Sequence, residues 1–390
     1  MKIDPYNHEK RYKTWKEKVL VGGIPEISKV NSDILLQYLS DMENGLNIST
    51  ISPKGARSYI RLNTIREKMC FFIKKLQELY GIEDITKINE DQLVLFFSKM
   101  RKGDILRKDG TRYISVDYFV KVFKAFWHWW QKVNRKKGIE INDITIDLDS
   151  RGEKPKWVYL TEEQIRKLCL NARFEYRVLI MFLFDTGIRA PTELVNVKVS
   201  DLYDNCKELM VREEISKTFG RKIKLMLCTQ YLNDYIKENK LQLDDYLFPI
   251  KPATINRYLQ RLAEKVLGNE QSLAGERYTQ LTMYDFRHCS CCFWLPRYKS
   301  ESALKFRFGW KKSDKIHYYS ELLGMRDTIT QDDLILSEEK TELEKNLQQS
   351  KRDKDILEER MKSVEEKMDK FIGLLLVDFP YHFVLSLLLK

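Results

Sequence analysis

The amino-acid sequence predicts a mainly α-helical protein with one small antiparallel β-sheet, an α+β fold, and three patterns carry that expectation. Apolar residues between positions 33 and 142 recur at steps of three and four, the spacing of a buried helix face. The same spacing resumes beyond Thr161 and breaks once, at 209–215 and 222–227, two short runs that suit a hairpin turning at Thr218-Phe219-Gly220. From 336 to 375 the apolar positions fall on alternating three- and four-residue steps, a coiled-coil heptad.

The first helical run opens after Ser52-Pro53. Tyr59, Leu62, Ile65, Met69, Phe72, Leu76 and Tyr80 line one face, and Gly81 ends it. A second run, 88–100, starts at Asn89 and Glu90 and carries Leu93, Leu95, Phe96 and Phe97. The third, 115–133, holds Tyr118, Phe119, Phe123, Phe126, Trp127, Trp129 and Trp130 among Lys121, Lys124, Lys132 and Arg135. Aromatic rings between cations can stack on bases, but this spacing is that of a buried face, and a core role is the expectation.

Residues 143–156, DITIDLDSRGEKPK, lack apolar periodicity and read as a linker; Thr161 then suits a helix N-cap. The expected organisation is an N-terminal extension (1–32), a helical domain (33–142), the linker, a second domain (157–327), a coiled coil (328–375) and an apolar tail (376–390). Leu336, Leu343, Leu347, Leu357, Met361, Val364, Met368, Phe371 and Leu375 fill the heptad seam, which Lys340, Ser350 and Lys354 interrupt. One long solvated helix is the alternative.

The net charge is +11 and unevenly spread. Residues 1–327 hold 58 Lys and Arg against 43 Asp and Glu; residues 328–390 hold 10 against 14. An excess of cations in the body of the chain suits a polyanionic partner, whose counterions are released on binding. The seven cysteines are scattered and odd in number, which points away from a disulfide framework and toward a cytoplasmic location. No leader with an apolar stretch is evident at the start, and Asp378, Pro380 and His382 cut the apolar tail into pieces too short to span a bilayer, so no membrane association is expected.

Four elements in order carry candidate chemistry. Asp185-Thr186-Gly187-Ile188-Arg189 places an arginine after a glycine at a helix boundary. Lys217 precedes the hairpin turn, and Tyr284-Asp285-Phe286-Arg287-His288 follows. Gly309-Trp310 is last, with Tyr319 nine residues beyond the tryptophan. Two arginines can clamp a phosphate bidentately, a lysine can protonate a leaving oxygen, and a tyrosine can act as a nucleophile.

Together these strings resemble the tyrosine recombinase family, also called phage integrases. Its members carry T-G-hydrophobic-R, a lysine on a β-hairpin, H-x-x-R-H, and a G-(H/W) pair followed nine residues later by the nucleophilic tyrosine. The resemblance covers about 157–325 and extends to 33–142, which looks like the family's helical core-binding domain. It implies a C-shaped clamp on double-stranded DNA and a homotetramer on two DNA sites. It implies cleavage and rejoining through a 3′-phosphotyrosine, with no metal, cofactor or small-molecule substrate. Carried over residue by residue, Arg189 and Arg287 hold the phosphate, Lys217 is the general acid, Trp310 donates to the phosphate and Tyr319 attacks.

The sequence departs from the pattern at three places. Tyr284 stands where the family has histidine, as in some archaeal members, and a protonated phenol there would donate rather than act as base. Glu193 follows Arg189 by four residues where three is usual. Tyr318 neighbours Tyr319, as Lys222 and Lys224 neighbour Lys217, and spacing selects among them. A type IB topoisomerase and an inert DNA-binding regulator on the same scaffold are the competing readings. His288-Cys289-Ser290-Cys291-Cys292 has no second Cys/His pair at ligand spacing, so a metal is not expected.

Overall fold

The computed structural model describes residues 2–46, 55–249, 251–298, 300–323, 349–365 and 368. The expected apolar tail and most of the heptad seam lie outside these residues, as does Ser52-Pro53. The described residues up to Leu323 form one compact unit.

Its first helices are α1 (His8–Gly22), α2 (Lys29–Glu43), α3 (Tyr59–Tyr80), α4 (Glu90–Lys102) and α5 (Val116–Arg135). Asn89 starts α4 with a capping box, its side chain accepting from the Gln92 amide while the Gln92 side chain accepts from its own. The apolar faces of these helices close on one core, with Leu62, Met69, Phe72, Phe96, Phe123 and Phe126 buried. Tyr12 and Val19 of α1 lie in that same core, so the segment ahead of residue 33 packs as part of the helical bundle. The aromatic stripe of α5 is used internally: Phe123 meets Phe72 edge-on at 5.4 Å, and the Trp129 indole donates to Asp41 at 2.8 Å. Residues 143–156 contain no helix or strand. Arg101 nevertheless ties them to α4, donating to the carbonyls of Asp149 and Arg151 at 2.8 and 3.0 Å.

A second core begins at Trp157. It gathers α6 (Glu162–Asn171), α7 (Phe174–Thr186), α8 (Thr229–Glu238), α9 (Pro252–Leu267), α10 (Asp285–Trp294), α11 (Glu301–Phe308) and α12 (Asp314–Leu322). Thr161 is the N-cap of α6 within a capping box completed by Gln164. The hairpin is present as β2 (Glu208–Val211) and β3 (Arg221–Lys224), antiparallel with Leu209 opposite Ile223. A two-residue strand that the sequence pattern did not announce, β1 (Leu202–Tyr203), adds a third antiparallel member beside β2.

Asp185 fastens three of these elements. Its buried carboxylate accepts from the amides of Met226, Leu227 and Cys228 at the start of α8, and pairs with Arg307 of α11 at 2.9 Å. Residues 349–365 are helical, and Leu357, Met361 and Val364 of the expected seam are exposed there. Among the described residues no helix is long and apolar enough to cross a membrane.

Candidate active site

The site is assembled at the C-terminal end of α7. Gly187 caps that helix in the left-handed conformation, φ +56°. A Cβ there would stand 2.3 Å from Cε1 of Phe308 and 2.9 Å from Oγ of Ser290, so glycine is what lets α11 and α10 approach. Through that close approach Arg287 of α10 donates to the carbonyls of Gly187 and Phe308, both at 2.5 Å. Arg189 donates to the next carbonyl, Gly309, at 2.7 Å. The two arginines predicted to act together are therefore anchored on adjacent peptide units of one loop.

Glu193 orients Arg189. Its carboxylate accepts from the Arg189 guanidinium at 2.6 Å and from the Arg189 amide at 3.1 Å. The four-residue spacing that departs from the usual pattern still brings the carboxylate onto the arginine. On its other side Glu193 pairs with Arg221 of β3 at 2.8 Å. Burial favours its neutral acid, but the hydrogen bond and charge of Arg221, joined by Arg189, hold the carboxyl down at about 2. Arg221 is fully enclosed and also donates to the Arg307 carbonyl at 2.9 Å. Burial lowers Arg287 to about 10, and the neighbouring positive charge of Arg189 adds to the effect; at neutral pH it keeps its charge.

Lys217 is exposed, in the β2–β3 connection, with no hydrogen bond or ion pair among the described residues. Its two neighbours face the cluster: the Thr218 hydroxyl donates to the Gly309 carbonyl at 2.9 Å, and the Ser216 hydroxyl reaches Glu193 at 3.4 Å. The competing lysines are placed differently. Strand alternation turns Arg221 and Ile223 inward and Lys222 and Lys224 outward, and Lys222 pairs with Glu208.

Trp310 lies between Phe308 and Tyr319, its ring 4.9 Å from the first and 6.0 Å from the second, nearly parallel to both. Tyr319 is 2% exposed, and burial pushes its hydroxyl well above the ordinary tyrosine range. That hydroxyl is hydrogen-bonded to Nδ1 of His288. The hydroxyl of Tyr318 points elsewhere, accepting from the Trp157 indole at 2.8 Å and donating to the Pro155 carbonyl at 3.2 Å. Tyr284 is 46% exposed at the start of α10, its ring edge-on to His288 at 5.1 Å.

Arg189, Arg287, Trp310 and Tyr319 thus converge around residues 308–310, with Lys217 and Tyr284 at the exposed margin. Two participants were given no catalytic role in the sequence reading. Arg221 could have been found by β-strand alternation, and His288 by its helical spacing, one turn beyond Tyr284. Cys289, Cys291 and Cys292, weighed there as possible ligands, are core residues of α10, and burial raises their thiols.

Comparison with known proteins bears on the fold that carries this arrangement. Residues 158–324 match the model of the phage integrase family. A Tn1549 transposon integrase in complex with circular intermediate DNA superposes with a TM-score of 0.54 at 15% identity, covering 79% of this chain and 98% of that one. A lambda integrase dimer bound to a core site gives 0.55 at 15%, covering 76% and 98%. The XerH site-specific recombinase bound to a palindromic difH substrate gives 0.52 at 14%, covering 68% and 77%. No curated protein sequence matches the chain. Residues 158–324 thus match the phage integrase, or tyrosine recombinase, family, and the chain shares its fold with these solved structures.

Proposed function

We propose that the chain is a site-specific DNA recombinase that cleaves and rejoins duplex DNA through a covalent link between Tyr319 and a 3′-phosphate. The observation that carries this reading is the convergence of two anchored arginines on the loop whose Trp310 stacks on Tyr319. Charge on the non-bridging oxygens limits attack on a phosphodiester, and paired guanidinium groups offset it. Glu193 keeps Arg189 oriented without consuming all of its donors. Lys217, held beside the cluster by Ser216 and Thr218, protonates the departing 5′-oxygen. Every group in this scheme is a side chain, so the chemistry requires no metal ion.

The DNA complexes among the structural neighbours, and the cation excess of residues 1–327, support duplex DNA as the substrate. A homo-oligomer on two sites, with the helical bundle and the second domain closing on the duplex, extends the reading. The test is a nicked duplex built from the DNA flanking the coding sequence, on which cleavage strands the enzyme as an adduct. The wild-type chain forms the adduct, whereas Tyr319→Phe binds the duplex within a few-fold and forms none. An adduct with Tyr319→Phe, lost in Tyr318→Phe, would reassign the nucleophile. Binding with no adduct from the wild-type chain would identify an inert DNA-binding regulator.

A further inference from the structure

The geometry points to a further catalytic residue: we propose that His288 is the base that takes the proton of Tyr319, an assignment that rests on the strand-transfer reading above. The Tyr319 hydroxyl and Nδ1 of His288 are hydrogen-bonded, so with the proton of the neutral ring on Nε2 the acceptor is already on the reacting atom. The imidazole is held in place by rings on two sides, Trp157 at 4.7 Å and Tyr284 edge-on at 5.1 Å. Other groups near the hydroxyl are poorly suited to receive a proton. Tyr284 is a phenol without a basic nitrogen, Arg287 is cationic, and burial keeps the thiols of Cys291 and Cys292 protonated. An enclosed phenol resists ionising unaided, because the phenolate would lose its solvation.

The step balances without a further reactant. The O–H bond of Tyr319 breaks and an N–H bond forms on Nδ1, leaving an imidazolium. The phenolate oxygen bonds to phosphorus, and the 5′-oxygen leaves with the bonding pair and takes a proton from Lys217. On rejoining, the incoming 5′-hydroxyl returns a proton to Lys217, and the tyrosine recovers its own from His288.

Two measurements on the full chain test the assignment. Without DNA, ¹⁵N-histidine NMR of the wild-type chain and Tyr319→Phe reads the contact directly. The Nδ1 resonance of His288 shifts when the hydroxyl is removed, and an unmoved resonance overturns the proposal. On the nicked duplex, His288→Ala slows adduct formation by about a hundredfold or more, the range of a lost general base, and added imidazole recovers part of the rate. His288→Asn supplies an amide near the Nδ1 position that can hydrogen-bond but cannot take a proton, so it stays as slow as His288→Ala. A near wild-type rate in His288→Asn shows that the histidine merely positions the tyrosine, and an undiminished His288→Ala removes any role; either result overturns the base assignment. No adduct from the wild-type chain removes the strand-transfer reading and the base assignment together. Wild-type cleavage with unaffected variants removes the base assignment alone.

Discussion

Glu193 and Arg221 form an ion pair at 2.8 Å whose side chains are 1% and 0% exposed. Such a pair is costly to break from one side, since the remaining charge is left uncompensated in a poorly solvated interior. Arg221→Leu should destabilise the fold by about 3–5 kcal/mol, read as a lower midpoint in urea denaturation. Glu193→Gln should lose stability and also free Arg189 to reorient, weakening binding of a DNA duplex.

The same pair sets a pH dependence. Glu193 is held at about 2 when folded, against about 4.3 for an unperturbed glutamate, so the folded state favours its ionised form. Its contribution is complete above the unfolded value and lost as pH falls from there toward 2. Urea midpoints measured between pH 6 and pH 3 should fall less steeply in Glu193→Gln than in the wild-type chain; parallel slopes would exclude this carboxylate as a source of the acid sensitivity.

Gly187→Ala should cost about 2–5 kcal/mol, combining left-handed strain with overpacking against Phe308. Adding Phe308→Leu relieves the steric part and leaves the strain. Thermal melts of the single and double variants separate the two, and an unchanged melting temperature in Gly187→Ala would show that α11 moves aside freely.

Lys217→Ala should slow cleavage strongly on ordinary DNA and little on a duplex with a 5′-phosphorothiolate at the scissile bond, because sulfur leaves without a proton. Lys222→Ala, which removes a partner of Glu208 on the outer face of β3, should change neither rate by more than a few-fold. Equal losses for Lys217→Ala on both substrates would exclude it as the acid.

Deleting residues 328–390 should leave adduct formation on the nicked duplex intact while weakening assembly and complete recombination. That segment carries no catalytic string and has an acidic balance, and Leu357, Met361 and Val364 are exposed on its helix. Sedimentation of the isolated segment checks the association. A monomeric peptide, together with full recombination by the shortened chain, would remove the assembly role.

The helical character and the hairpin were legible in the sequence because burial imposes periods of 3.6 and 2. So was the grouping of Arg189, Arg287 and Tyr319, which the structure brings to one loop, because short strings mark each of them. What escaped notice arises from long-range packing. The contact of His288 with Tyr319 spans 31 residues and that of Arg221 with Glu193 spans 28. Neither appears as a local pattern, although Arg221 faces inward by its strand's period and His288 lies one helical turn from Tyr284. The aromatic stripe of α5 shows the converse: a pattern suggestive of base stacking lies instead in the core, where Phe72 and Asp41 meet it.

The acceptors that hold Arg189 and Arg287 at the 308–309 loop are main-chain oxygens, which no codon change can delete. An alanine scan of this loop would therefore keep both acceptors and register the rings of Phe308 and Trp310 instead. The vulnerable position is Gly309, where a Cβ would come within 3.1–3.3 Å of Arg221, Thr218 and Arg189 at once. The spacing of the two guanidinium groups is thus written into the chain's connectivity, and evolution can move it only by bending that loop.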